Sequence, residues 1–226
     1  SGDLADLTLL DGHRVRVGGG MRLVVLLSRL DRLGLTGAGA FAGIPGTAGG
    51  AVVMNAGSRM GETGELVESV TVVLPGGEVR VMPHDALQFS YRHARLPKGA
   101  VVAEVILRLS DRDVDQRREQ RRAFLARRKA TQPLNLPSCG STFTNPRGDY
   151  AGRLIEAAGL KGRRHGGAQI SDKHANFIVN LGDATAEDIR WLIAFARCEV
   201  QARFGIWMQP EVKLLGAWPA GALDEP

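Results

Sequence analysis

The sequence predicts an α+β protein built from two compact units. Three observations carry that expectation: β-type alternation and helical periodicity both occur, they do not follow one another as regular βαβ units, and the composition changes character near residue 112. A length of 226 residues suits one or two domains of about 100 residues each. Hydrophobic residues at 44% against 23% charged ones place the chain in the soluble globular class, and no stretch reaches the roughly 18 unbroken apolar residues of a membrane span. The opening SGDLADLTLL has no basic stretch followed by an apolar one, so no signal peptide is read and a cytoplasmic location is expected.

Residues 14–17, RVRV, alternate as a strand does and run into Gly18-Gly19-Gly20. A helix is expected in MRLVVLLSRLDRLGL, which sets Leu23, Leu26, Leu27 and Leu30 on one face. Strand, glycines and helix invite a dinucleotide-loop reading, but the G-x-G-x-x-G spacing fails and a tight turn is the plainer expectation. Next comes GIPGTAGGAVVMNAG, residues 43–57, with glycines at 43, 46, 49, 50 and 57 around an apolar run. LVESVTVVLPGGEVRVMP then reads as two strands joined at Pro75-Gly76-Gly77, and AVVAEVILRLS, 100–110, as another strand. The segment DRDVDQRREQRRAFLARRKATQ, 111–132, is charged and helix-forming with only Phe124 and Leu125 as an apolar stripe, so a solvated helix is expected. The domain boundary falls there, giving units 1–112 and 113–226. In the second, Asp149 is expected to cap a helix closed by Gly159 and Gly162, and ANFIVNLG reads as an apolar strand. Thr185 and Asp188 resemble a capping box, opening a helix whose periodic positions are Ile189, Leu192, Ile193, Ala196, Val200 and Phe204.

A net charge of +5 favours an anionic partner, which could be nucleic acid, phospholipid or a small phosphorylated ligand. Cys139 and Cys198 stand far apart without a C-x-x-C pair and are expected to be reduced thiols. The histidines at 13, 84, 93, 165 and 174 show no ligand spacing, so no metal site is expected.

Four stretches could carry chemistry. The glycines of 43–57 allow backbone N–H groups to approach a ligand, with Pro45 stiffening the loop; a turn packed against a strand is the alternative, and Asn55 is either a contact or a turn former. In FSYRHARLP, 89–97, Arg92 beside Tyr91 and Phe89 suggests a guanidinium at the edge of a core, able to grip a carboxylate or phosphate, unless it is an ordinary surface arginine. LPSCGSTFTNP, 136–146, offers Ser138, Ser141, Thr142, Thr144 and Asn145 as donors, and Gly140 permits a sharp turn before Ser141. It lacks G-x-S-x-G, so no hydrolase elbow is indicated. In WMQPEVKLLG, 207–216, Glu211 and Lys213 would share a face of a strand, or form a surface ion pair.

Taken in order, GIPGTAGGAVVMNAG, FSYR, QPLNLPSCGSTFTNP, GLKG, GGAQISDKHANFIVN and PEVKLLG resemble the signatures of the UDP-N-acetylenolpyruvoylglucosamine reductase family over roughly residues 10 to 216. The resemblance implies the C-terminal part of a PCMH-like FAD-binding domain followed by a smaller α+β substrate-binding domain. It implies a cytoplasmic, monomeric FAD enzyme of peptidoglycan synthesis, and so of cell wall biogenesis, shape and division. Such an enzyme uses NADPH to reduce the enolpyruvyl ether of UDP-N-acetylglucosamine to UDP-N-acetylmuramate, with a UDP-sugar partner and neither nucleic acid nor membrane. Carried over residue by residue, Ser141 matches the proton donor, and Arg92 and Glu211 the other two catalytic positions. Gly43, Ile44, Pro45, Gly46, Thr47, Gly49, Gly50, Ala51, Asn55 and Gly57 match the flavin-facing loop. Tyr91, Lys129, Asn145 and Lys213 match positions near the substrate.

Departures from the family pattern are visible. Ala94 replaces a serine of the usual Y-R-x-S, and Lys213 stands where arginine is common, which weakens two-point phosphate recognition. The short span from Arg92 to Ser141 resembles the shorter of two subgroups. Family members begin with a further domain of roughly 70 to 80 residues, carrying the loop for the flavin pyrophosphate; the chain as given is expected to bind FAD weakly or not at all. The alternatives are a non-catalytic binding protein derived from the reductase, another flavoprotein of the same superfamily, and a polyanion-binding module resting on the basic 112–129 helix.

Overall fold

A computed structural model describes residues 3–226 of the chain. It resolves into two compact units, the first ending at Ala126 and the second beginning at Arg127. Both helix and sheet occur in each, so the α+β class holds.

The first unit is organised by a five-stranded antiparallel sheet of order β1-β2-β7-β5-β6. Its strands are β1 (Leu7–Leu9), β2 (Arg14–Gly18), β5 (Val67–Val73), β6 (Val79–Pro83) and β7 (Val101–Arg108); a small hairpin pairs β3 (Gly57–Ser58) with β4 (Gly61–Glu62). The alternation of RVRV is used as the period-2 pleat requires: Val15 and Val17 are fully buried opposite Leu107 and Val105. Arg14 lies on the other face and, with Arg108, brackets Glu68 at 2.6 and 2.8 Å. Helix α1 (Leu23–Arg32) buries Leu23, Leu26 and Leu30, and α2 (Ala48–Val53) buries Ala51 and Val52, in one core with Val70, Val105 and Phe41.

The Gly18-Gly19-Gly20 turn exists for contact as much as for reversal. Gly19 donates its N–H to the Ala103 carbonyl at 2.7 Å, and a Cβ there would lie 2.0 Å from the Val102 carbonyl oxygen. Gly49 in α2 in turn donates to the Gly19 carbonyl at 2.8 Å, and its own Cβ would sit 3.0 Å from that oxygen. No side chain fits between this helix and the sheet.

Helix α3 (Val114–Thr131) has no buried residue, as its composition predicts. The division of the chain falls inside this helix rather than before it at 112. The physical reason is Asp31 at the end of α1, which accepts from Arg121 and lies 3.7 Å from Arg118, so that the first turns of α3 belong with the first unit.

The second unit contains the three-stranded antiparallel sheet β10-β9-β8, from β8 (Arg164–His165), β9 (Ala168–Ile170) and β10 (Ile178–Asn180). Helices α4 (Ala151–Ala157) and α5 (Ala186–Phe204) pack Leu154, Ile155, Leu192, Ile193 and Val200 onto Ile170 and Phe143. The α5 capping box forms as the sequence indicates, with Thr185 and Asp188 each accepting from the other's backbone. Gly159, at φ 74°, closes α4 in a Schellman arrangement in which Leu160 donates to the Ile155 carbonyl and Gly159 to that of Glu156. The start of α4 differs from expectation. Asn145, not Asp149, accepts the Ala151 N–H, at 3.1 Å, while Asp149 takes the Tyr150 N–H and the Arg153 guanidinium. ANFIVNLG is extended over three residues only, because Asn176 within it turns its amide to another segment.

The Arg153 guanidinium and the Tyr150 N–H hold the Asp149 carboxyl at about 2, and Arg14 with Arg108 lowers that of Glu68. A depressed carboxyl stabilises the fold above its unfolded value near 4, and that stability is lost as pH falls through the folded value. Asp149→Asn is therefore expected to leave stability between about pH 4 and 2 less steeply dependent on pH than in the wild type. Denaturant midpoints at pH 4, 3 and 2 check it; parallel curves for the two proteins would contradict it.

Candidate active site

In the first unit the candidate residues are tied together by one buried amide. Asn55, only 2% exposed, donates through Nδ2 to the Glu62 carboxylate at 2.8 Å and to the Ser90 carbonyl at 2.9 Å, and its Oδ1 accepts from Gly64 N–H at 2.8 Å. Every polar atom of this side chain is engaged by protein. Asn55 thus anchors the loop; a ligand could meet it only through the backbone or by displacing these bonds.

The anchored Ser90 begins a tight turn. Ser90 and His93 exchange both backbone hydrogen bonds, 2.9 and 3.0 Å, which leaves Tyr91 and Arg92 at its tip. Arg92 takes φ 57°, a region that costs a side chain with a Cβ about 1 kcal/mol or more. Asn55 and Gln88, at 38° and 39°, share that rare region in the same neighbourhood. The half-buried Arg92 guanidinium donates to the Gly57 carbonyl at 3.3 Å and lies 4.9 Å from the ring centre of Tyr91, so backbone and ring orient its fork. Phe89 packs on the core and Ala94 is buried, which fits the expected guanidinium at a core edge.

The glycine-rich stretch separates into glycines with structural reasons and one without. Gly43 and Gly46 take φ of 68° and 139°, Gly49 meets the sheet backbone, and a Cβ on Gly57 would lie 2.8 Å from Glu62. Gly50 is exposed in the middle of α2, where alanine would be favoured, and a Cβ there would find only an ordinary 3.6 Å contact with Thr47. Thr47 caps this short helix by accepting from Gly50 N–H at 3.3 Å. Ile44 is partly buried on the core, Pro45 is exposed and Ala51 is buried. The outward surface of the loop around Gly46 and Gly50 is bare backbone, a shape suited to a flat ligand lying close.

In the second unit, the SCGSTFTNP loop pairs with the segment holding Glu211. Glu211 N–H donates to the Thr142 carbonyl at 2.9 Å, Thr144 N–H donates to the Gln209 carbonyl at 3.0 Å, and Phe143 stands opposite Pro210. Half-buried Ser141 and half-buried Glu211 are thereby neighbours through Thr142. Gly140, at φ 82° with open space around it, makes the turn before Ser141. The Ser141 hydroxyl has no hydrogen-bond partner among the described residues, and the buried Thr142 hydroxyl likewise has none. Cys139 reaches the surface, yet partial desolvation raises its thiol above the ordinary value, and the Glu211 carboxylate raises it further.

The loop is pinned by Asn176, which is not among the expected site residues. Its Oδ1 accepts from Phe143 N–H at 2.9 Å, its Nδ2 donates to the Phe143 carbonyl at 2.8 Å, and its own carbonyl accepts from Thr142 N–H at 2.8 Å. A polar residue inside the apolar run ANFIVN is the sequence signal for such a brace. Burial lowers His174 below the ordinary histidine value, and its Nδ1 accepts the Asn176 N–H at 3.2 Å.

The remaining candidates lie at the surface. Tyr91, Lys129, Asn145 and Lys213 are exposed; the Lys129 carbonyl accepts from Lys173 Nζ at 2.6 Å, and Asn145 has the helix-start role already described. Among the described residues there is no cluster of metal-ligating side chains, and no helix is long and apolar enough to cross a membrane.

Comparison with known proteins gives these two halves a context. Residues 132–215 match the family model described as UDP-N-acetylenolpyruvoylglucosamine reductase, C-terminal domain, and residues 4–82 match an FAD binding domain. The chain is 48% identical over 213 residues to the UDP-N-acetylenolpyruvoylglucosamine reductase of Anaeromyxobacter dehalogenans strain 2CP-C, covering 94% of this chain and 64% of that one. Reductase 2 of Symbiobacterium thermophilum is 46% identical over 220 residues, covering 97% of this chain and 71% of the relative. The crystal structure of the Thermus caldophilus UDP-N-acetylenolpyruvylglucosamine reductase matches with a TM-score of 0.80 at 38% identity, over 97% of this chain and 76% of that one.

If Gly50 is kept bare for a flavin and not for the fold, Gly50→Ala raises the stability of the flavin-free chain by about 0.5–1 kcal/mol and lowers the FAD affinity of the flavin-loaded enzyme. Thermal unfolding and FAD fluorescence titration read the two effects separately. A destabilised variant, or one with unchanged affinity, would contradict the assignment.

Proposed function

The chain belongs to the UDP-N-acetylenolpyruvoylglucosamine reductase family, and from that premise we propose that it supplies the catalytic residues of an FAD-dependent reductase. With NADPH as reductant, the enolpyruvyl ether of UDP-N-acetylglucosamine becomes UDP-N-acetylmuramate, a cytoplasmic step in making peptidoglycan, carried out by a monomer. The observation that carries the reading is the pairing of Thr142 with Glu211, which makes a hydroxyl and a carboxylate neighbours on a braced pair of segments.

The flavin site fits the residues present. Gly46 and Gly50 leave uncovered backbone, and Gly43, Ile44, Pro45, Thr47, Gly49, Ala51, Asn55 and Gly57 shape the loop beneath it. When bound and reduced, this cofactor supplies a hydride to the methylene carbon of the enolpyruvyl group.

The protein has to deal with the charge that follows. Electron density moves onto the adjacent carbon and its carboxylate, and Arg92, its fork held by Gly57 and Tyr91, stabilises that charge by preorganised electrostatics. Glu211 positions the carboxyl end of the substrate and shares a proton with it, which avoids two bare carboxylates in contact. Ser141 donates its proton to the carbon beside the carboxylate, completing addition of hydride and proton across the double bond. A hydroxyl is a weak acid, but a carbanion is a far stronger base, so the transfer is downhill; solvent then restores the serine proton. Exposed Tyr91, Lys129, Asn145 and Lys213 serve the nucleotide and phosphates, which accounts for part of the net positive charge.

In the flavin-loaded enzyme, Ser141→Ala is expected to leave flavin reduction by NADPH intact and to slow flavin reoxidation by substrate ~10²–10⁴-fold, or roughly 3–5 kcal/mol. Stopped-flow absorbance follows the two half-reactions apart. Reoxidation at the wild-type rate would remove Ser141 from the chemistry.

A further inference from the structure

The basic helix α3, singled out in the sequence as a possible polyanion face, forms one wall of a cavity inside the first unit. The cavity holds about 300 Å³ and lies between α3, α1, the Thr36–Gly39 turn and the tip of the β3–β4 hairpin. That volume is at the small end for organic ligands. Its floor is apolar, from Leu27, Leu30, Leu35 and Met60.

Its rim is strongly cationic. Arg59, Arg117, Arg118 and Arg121 all line it, and among the described residues Asp31 is the only acidic one that does. Asp31 is already committed to Arg118 and Arg121 by ion pairs, and its carbonyl accepts from Arg118 as well. Arg59 and Arg117 are exposed and form no ion pair among the described residues. Cations at the mouth of a concavity with apolar walls focus the local field and concentrate anions there. An inorganic anion would satisfy the rim alone. The leucine and methionine floor would remain uncovered, which selects a ligand with an apolar body.

We propose that this cavity binds a small organic anion, an apolar group bearing a phosphate or carboxylate held between Arg59 and Arg117. The site stands apart from the residues assigned to reduction, and the proposal does not depend on that assignment. A structural link to them exists nonetheless. Arg59 and Met60 form the tip of the hairpin whose base carries Gly57, the acceptor for Arg92, and Glu62, the acceptor for Asn55. An anion seated at the tip therefore pulls on the same two-stranded element that orients the Arg92 fork.

Phenyl phosphate is a suitable probe, with inorganic phosphate and phenol as separate arms, titrated calorimetrically into the full chain. Saturable one-to-one binding is expected for phenyl phosphate, at least tenfold tighter than for either control. The double substitution Arg59→Ala and Arg117→Ala is expected to weaken it at least tenfold; neither side chain holds an ion pair, so the fold is retained, as circular dichroism would verify. Lys213→Ala serves as the control and is expected to bind like the wild type. Three results would each overturn the proposal: no saturable binding of phenyl phosphate, equal affinity for inorganic phosphate, or a double variant that binds as well as the wild type. Loss of binding in Lys213→Ala alone would also overturn it, by moving the anion to the phosphate-binding residues of the second unit.

Discussion

An amide side chain taken out of water must find partners for both its ends, and two asparagines here turn that requirement into architecture. Asn176 closes a two-point bond with the backbone of Phe143, and Asn55 joins Glu62, Gly64 and Ser90. Each stands behind a loop that carries candidate chemistry, and neither has a polar atom to spare. A buried amide left unpaired would cost about 1–3 kcal/mol, so these bonds resist local opening. Ser141, Glu211 and Arg92 can sit on irregular backbone because this second row is rigid. The unusual φ of Arg92 is tolerated for the same reason: the surrounding bonds over-determine it.

The glycine-rich stretch shows why a motif has to be taken apart residue by residue. Most of its glycines answer to the fold, through positive φ or through backbone that no Cβ could approach. Gly50 answers to neither, and sits in a helix where glycine is unfavourable. The glycine in excess of structural need lies on the outer, exposed side of α2.

Features set by local physics could be read from the sequence. The β5–β6 hairpin, the strand at 101–108, the α5 capping box and the Gly159 helix stop each depend on a few neighbouring residues. Features decided by distant partners could not. Asp149 has the residue type of a helix cap, but Arg153 one turn on engages it, and Asn145 accepts the first helical N–H instead. The boundary expected at 112 moved into α3 because Asp31, some eighty residues away in the chain, holds its arginines. Arg92, Ser141 and Glu211 were found as residue types in recognisable motifs, whereas Asn176 passed as one polar letter in an apolar strand. A polar letter in an apolar run signals a brace, but its partner, residue 143, is too far along the chain to be read locally.

Buried asparagine amides, and not the loops themselves, hold the backbone of these segments in place. Amide hydrogen exchange in Asn176→Ala tests this most directly. The N–H groups of Glu211 and Thr144, which join the two segments, should exchange roughly ten times faster or more, matching the loss of about 1–3 kcal/mol, while amides in the middle of α5 keep their protection. Unaltered protection at Glu211 and Thr144 would show that the segments hold themselves together, and the claim would fail.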